Sequence, residues 1–279
     1  MRKQFIYIGM NECIAAVRDK DRLEALAFAL MVKLTFVDSV IKSTTMRQLS
    51  RIFRLGNKRL SRVLKNALRY FYIVKEGNTY YVPSLKQRGS FNKRLEYDFA
   101  TFSTTEDGRS AYTLNRLMKD IRKTVWKNHL RKQRAFLDTA SVVNAPSDDT
   151  EYKRHKARLK RMCGITTISK EQIKKSSRLS IKRSMKVMGA KRSMTKTLIN
   201  EMVANGEVER HYNNITVSMF YKDLEDSYKF QQAIYQASEL SGFVYIYRGA
   251  VYIRTSNSYS LSEREDNSYS YSPKLKCPL

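Results

Sequence analysis

From Lys58 to Tyr70 the chain separates, at about 100° per residue, into two chemically opposed faces. Leu60, Val63, Leu64, Ala67 and Leu68 fall on one side, while Arg59, Arg62, Asn66 and Arg69 fall on the other, flanked by Lys58 and Lys65. A helix of this kind needs two surroundings at once, an apolar core beneath it and a polar medium above it. From Thr45 to Tyr70 there are eight Lys or Arg and no Asp or Glu. One basic run is usually just a solvated face, but a run with no compensating acid points to a polyanion.

The residues around this helix supply its core. Leu23, Leu26, Ala27, Leu30, Met31, Leu34 and Val37 recur at three- and four-residue spacing and predict a helix over about 22–41, with Asp21 and Glu24 resembling a capping box. Thr45 can cap a short second helix whose Met46, Leu49, Ile52 and Phe53 point inward. Arg54-Leu55-Gly56-Asn57 makes a turn into the basic helix. Afterwards Tyr70 to Lys75 and Thr79 to Val82 are β-rich runs around Glu76-Gly77-Asn78, a hairpin signature.

The order helix, helix, turn, helix, hairpin over about 20–83, with its basic third helix, resembles the winged helix-turn-helix family of DNA-binding domains. The resemblance implies that Lys58, Arg59, Arg62, Lys65, Asn66 and Arg69 face a DNA major groove, and that the hairpin tip at Asn78 touches the backbone. Groove width admits a helix, and Arg can pair bidentately with guanine edges.

The same order is expected a second time. Met188-Gly189-Ala190-Lys191-Arg192 echoes Leu55-Gly56-Asn57-Lys58-Arg59, setting Gly189 against Gly56. After it, Met194, Leu198, Ile199, Met202 and Val203 form an apolar side, while Lys191, Arg192, Ser193, Lys196, Thr197 and Asn200 share the other. Leu179 to Val187 and Ile168 to Lys175, with Ser169 as cap, supply the preceding helices. Val208 to Val217, with Arg210, gives two strands around Asn213-Asn214 as a second wing.

Charge separates these parts. Residues 109–134 hold nine basic groups and one acidic, 152–198 hold sixteen and one, and 135–151 hold none and four. The expected domains are therefore 1–90, a winged helix; 91–150, a basic helical connector and acidic linker; 151–220, a second winged helix; 221–254, a helix with a β-hairpin; and 255–279, a disordered tail. In the connector, Tyr112, Leu114, Leu117, Met118, Ile121, Val125 and Trp126 mark a helix ringed by Arg116, Lys119, Arg122 and Lys123, with a hinge at Pro146. The fold class is mainly α with small β-hairpin wings (α+β).

A formal charge of +27 over 279 residues sets the function class. Cys13, Cys163 and Cys277 are odd in number and widely spaced, which fits neither a disulfide framework nor a zinc site. The longest apolar run, Ala25 to Val32, is far short of the ~20 residues of a membrane span. His155-Lys156-Ala157-Arg158 has the H-x-x-R spacing of tyrosine recombinases, but the rest of that active-site pattern is missing and a Lys/Arg-rich run produces such spacing by chance. No phosphate loop, nucleophile elbow or paired-His motif is present. No catalytic residue, metal or cofactor is expected.

The expectation is a cytoplasmic, DNA-associated, non-enzymatic protein that reads double-stranded DNA with two basic helices, in replication initiation or transcriptional control of a phage or plasmid. A homodimer and a protein partner for the tail are compatible with it. The alternative is a packaging nucleoprotein or an RNA-binding protein without sequence preference.

Overall fold

The computed structural model describes residues 5–36, 38–42, 44–84, 87, 99–103, 113–143, 179–211, 214–220, 243–247, 250–254 and 257–262. The described chain is mainly helical with small antiparallel sheets. Its elements run β1 (Phe5–Gly9), α1 (Met10–Ala16), α2 (Lys20–Thr35), β2 (Val40–Lys42), α3 (Met46–Phe53), α4 (Asn57–Arg69), β3 (Val74–Glu76), β4 (Thr79–Tyr81), β5 (Phe99–Ser103) and α5 (Leu114–Val143). They continue with α6 (Ile181–Met188), α7 (Arg192–Ala204), β6 (Val208–His211), β7 (Asn214–Phe220), β8 (Phe243–Tyr247), β9 (Ala250–Arg254) and β10 (Ser258–Leu261). These residues fall into two compact units, one within Met1–His129 with Met185–Leu198, the other within Leu130–Ser184 with Ile199–Ser268. Among the described residues no helix is long and apolar enough to cross a membrane.

The first unit is organised around α2. Every residue from Leu23 to Val32 is buried, so this helix is enclosed on all sides rather than along the single stripe its spacing predicts. Elements β1, α1, β2 and α4 all touch it, and Leu114, Leu117, Ile121 and Val125 of α5 join the same core. Apart from Glu24 the run is apolar, so no side of the helix is left that favours water. Phe28 meets Phe53 of α3 edge to face at 5.0 Å between ring centroids, a geometry that aromatic quadrupoles favour.

The cap of α2 differs from the expectation. Asp19, not Asp21, precedes the helix, and its carboxylate accepts from the backbone N–H groups of Asp21 and Arg22. The Tyr70 hydroxyl also donates to Asp19 at 2.7 Å, and this bond above all holds the Asp19 carboxyl below its ordinary range. The helix ends at Thr35 rather than near 41, which frees Val40–Lys42 to form β2. That strand pairs with β4, and β4 with β3, giving the order β2-β4-β3. In α3 the Thr45 cap is present as a full capping box with Gln48. Met46 and Ile52 are exposed rather than inward, because so short a helix has room for only Leu49 and Phe53 against the core.

A pair of helices joined by a tight turn occurs twice, in a register displaced by two from the glycine echo. Met46–Phe53 of α3 maps onto Ile181–Met188 of α6, and Asn57–Arg69 of α4 onto Arg192–Ala204 of α7, with equal helix lengths and the same interval at every boundary. The turn hydrogen bonds recur in that register. Leu55 donates to Ser50 and Ala190 to Met185; Tyr70 to Asn66 and Asn205 to Glu201; Tyr72 to Ala67 and Glu207 to Met202. The glycines that suggested the repeat are not equivalent. Gly56 is the N-cap of α4 in extended backbone, whereas Gly189 has φ 56° and matches Arg54 at φ 51°. Consequently Thr195, not Met194, takes the buried place of Leu60; Met194 is exposed.

The expected second hairpin does not form as the first does. Strands β6 and β7 exist, but they do not pair with each other: β6 pairs with β10 and β7 with β9. Strand β10 occupies the place of β4, opposing Tyr259 to Arg210 as β4 opposes Tyr80 to Lys75. A cation lies over the ring in both cases, Lys75 over Tyr80 at 5.7 Å and Arg210 over Tyr259 at 5.9 Å. Where the first hairpin turns at Gly77-Asn78, the second admits the whole of 212–257, which includes the antiparallel sheet β7-β9-β8.

The hairpin expected at 243–254 is thus present as β8 and β9. Residues 258–261, expected in the disordered tail, form a strand. Strand β1 draws residues from 91–150 into the N-terminal unit by pairing with β5. The expected hinge at Pro146, the helix expected at 168–175, the helix expected after residue 221, and residues 263–279 lie outside the described residues.

Arg54 shows that this helix–helix turn does not itself require glycine. Gly189 has a further constraint, because a Cβ there would collide with the carbonyl oxygen of Val17. Gly189→Ala is expected to lower stability by about 2 kcal/mol or more, read by urea denaturation, whereas Arg54→Gly is expected to leave it unchanged or raise it.

Candidate nucleic-acid interface

Which side of α4 faces outward is decided by one carboxylate. Glu24 lies in the middle of the buried run of α2, its side chain 3% exposed. It accepts from Arg59 at 2.8 Å through Oε1 and from Arg62 at 2.9 Å through Oε2. Arg59 also donates to Oδ1 of Asn115 at the start of α5, at 2.9 Å. A buried carboxylate between two guanidinium groups is well satisfied, since desolvation of the anion is offset by charge-assisted hydrogen bonds. Glu24, read from sequence as a capping residue, is therefore an interhelical anchor.

This anchor rotates the face expected from the sequence. Arg59 is turned inward, with its side chain 35% exposed, while Arg62 at 54% still reaches solvent. Asn66 is buried, and its amide nitrogen has no hydrogen-bond partner. It leaves the candidate surface altogether. The exposed residues of α4 are Lys58, Ser61, Arg62, Lys65 and Arg69, with Asn57 at the start. Lys58, Arg62, Lys65 and Arg69 follow one another at spacings of four, three and four, which places them along one side of the helix. The Arg69 guanidinium lies 5.6 Å from the centroid of the Tyr70 ring. Asn78 is exposed at the tip of the β3–β4 turn, beside Gly77 at φ 56°.

The basic surface extends further than the expected residues. Arg47 and Arg51 are exposed on α3, and Arg54 is exposed in the turn. Their signal was already present in the acid-free run from Thr45, with Arg47 and Arg51 one helical turn apart. Lys182 and Lys186 are exposed at the equivalent positions of α6, so the leading helix of each repeat carries the same i, i+4 basic pair.

The second repeat is less basic on its long helix. Lys191, Arg192, Lys196, Thr197 and Asn200 are all exposed as expected. In the register set by the helix boundaries, however, the places of Lys58, Arg62, Lys65 and Arg69 hold Ser193, Thr197, Asn200 and Ala204. The Thr197 hydroxyl donates back to Ser193 at 3.1 Å, and Asn200 accepts from Arg210 at 2.5 Å. Arg210 is half-buried, with its Nε enclosed and without a partner. Its guanidinium is engaged by Asn200 and by the Tyr259 ring.

In the connector, Arg122 is not part of a solvated side. It is buried, and its guanidinium donates to the carbonyls of Met188 and Gly189 at the end of α6. A cation there meets the negative end of the helix dipole, while burial pulls the Arg122 pKa down. Among the described residues no group of His, Cys, Asp and Glu could hold a metal ion.

Glu24→Gln keeps the shape of the anchor and removes its charge. Because both arginines reach solvent and can be rehydrated, the expected loss is about 1–3 kcal/mol rather than the larger cost of stranding a fully buried charge. Urea denaturation of the full chain checks it.

Compared with known proteins, the chain matches no family model, no curated protein and no solved structure.

Proposed function

We propose that this chain is a non-enzymatic, double-stranded-DNA-binding protein of the winged helix-turn-helix type, acting in replication initiation or transcriptional control. The observation that carries the reading is the row Lys58, Arg62, Lys65 and Arg69 along α4. It lies beside Arg47, Arg51 and Arg54, and no carboxylate lies in sequence between Thr45 and Lys75. The carboxylate that Arg62 does meet, Glu24, sits beneath the helix. A long helix with such a row fits the major groove, and the leading helix of each repeat crosses the phosphate backbone. The repetition of the helix–turn–helix supports two points of attachment on one duplex.

The two repeats then differ in what they contribute. Neutralising phosphates releases condensed counterions, so α4 dominates the salt-dependent part of the affinity. In α7 Arg192 and Lys196 are the exposed cations, while the hydroxyl and amide groups of Ser193, Thr197 and Asn200 release few counterions. Their contribution is hydrogen bonding to bases or to single phosphate oxygens.

Replacing Lys58 and Lys65 together with Ala is expected to reduce the slope of log K against log salt by about 1.8 on B-DNA. Stability should change little, since both side chains are exposed. Selection from a random duplex library at ~150 mM salt is expected to enrich one motif bound roughly 10³-fold or more above random DNA. Tight binding with no enriched motif would transfer the reading to packaging. A preference for RNA hairpins or single strands would transfer it to RNA.

A further inference from the structure

The register of the two repeats sets Phe71 against Gly206. Both follow the long helix of their repeat, both donate a backbone hydrogen bond to the residue three before, Leu68 and Val203, and both have positive φ, 57° and 67°. Glycine adopts this conformation readily; a bulky aromatic there is an outlier. Burial does not compensate for it. Phe71 is 72% exposed, the most exposed of the large hydrophobic residues described. The other repeat shows that the turn is made equally well by glycine. The left-handed turn is needed, since its hydrogen bonds lead the chain back to the buried Tyr72 and Ile73, but an aromatic side chain at its centre is not, and an exposed ring kept at that cost points to use by something outside the fold.

The chemistry around Phe71 selects what that something is. Arg69 and Lys75, both exposed, flank it in the chain within a stretch, Thr45 to Lys75, of nine basic residues and no acidic one, and the carboxylates that border it, Asp19 and Glu76, are held by the Tyr70 and Tyr81 hydroxyls. These two cations favour an anionic occupant. It must also present an apolar group, because a phenyl ring offers no hydrogen bond. Under the DNA reading, on which only this choice of occupant rests, base edges are met by the N-terminal part of the long helix. Phe71 lies beyond the opposite end of α4, roughly 20 Å away at about 1.5 Å per residue. Apolar wedges that enter DNA do so through the minor groove, not from the far end of a helix in the major groove. Aromatic and Arg side chains together are, by contrast, the common anchors of protein interfaces.

We infer that Phe71 is the anchor of a docking site for an acidic protein segment, whose aliphatic or aromatic residue packs on the ring while its carboxylates meet Arg69 and Lys75. The site stands at the end of the basic row, so the partner shares Arg69 with the DNA-facing surface.

The test uses the full chain in three forms: native, Phe71→Gly and Phe71→Asn, Asn being a residue that tolerates left-handed backbone. Short random peptides displayed on yeast are selected on the native protein in the absence of nucleic acid. The expected result is enrichment of peptides with an apolar residue flanked by Asp or Glu, bound at least tenfold more weakly by both variants. The thermal midpoint of Phe71→Gly is expected to rise by about 2–4 °C, as relief of strain in a chain of this size would give, and duplex affinity to stay within twofold.

A fall in midpoint would make the ring a structural element and overturn the inference. So would enriched peptides that bind all three proteins equally, or selection that yields no acid-flanked motif. A tenfold loss of duplex affinity in folded Phe71→Gly would overturn it by assigning the ring to nucleic acid, and a native dimer that this variant dissolves would do so by assigning it to a second copy. Because the peptide selection contains no DNA, its failure is separable from failure of the DNA reading.

Discussion

The Glu24 carboxylate, enclosed in α2 and bound to Arg59 and Arg62 at 2.8 and 2.9 Å, is the contact on which the geometry of the basic surface depends. A lone anion in that position would be strongly disfavoured in an apolar helix pack, so the two arginines are needed for the fold as much as for any ligand. Satisfying Glu24 turns α4 about its axis, brings Arg59 and Asn66 inward, and leaves Lys58, Lys65 and Arg69 outermost with Arg62 between. Core and surface are therefore set by one interaction. Arg62 belongs to both, holding the core carboxylate with one nitrogen while about half of its side chain remains in solvent.

The repeat shows which features of this unit are architectural and which have diverged. Helix lengths, turn hydrogen bonds, both left-handed positions and the cation over a tyrosine ring are shared between the two copies. The turns are backbone-geometry requirements, and more than one side chain meets them: Arg54 and Gly189 make one turn, Phe71 and Gly206 the other. The outward positions are free of that constraint, and there the copies part company. One long helix presents a row of four basic residues, and the other sets hydroxyl and amide groups in three of those four places beside Arg192 and Lys196. One hairpin closes in a tight turn, while its counterpart opens to admit a separate sheet.

Much of the architecture was legible in local pattern. The capped α3, the long basic helix, the turn at 54–56, the first hairpin and the 243–254 hairpin all follow from period and turn chemistry acting over a few residues. What local pattern could not supply were pairings between distant segments. Nothing near Phe5 announces β5, and nothing near Val208 announces β10, because strand partners are chosen by backbone hydrogen bonds closed over long loops. The short Leu55–Arg59 echo exposed the repeat but misplaced its register by two, because Gly56 and Gly189 look alike in sequence and serve different backbone conformations.

For the candidate site, the sequence by itself determined the chemistry: basic stretches on helices, twice, each with an apolar side that must be buried. Charge and helical period are properties of neighbouring residues, so one dimension is enough to read them. Which basic residues face outward was decided only in three dimensions. A carboxylate 35 positions from Arg59 and 38 from Arg62 claims these side chains. A buried charge must find its partners wherever the fold brings them.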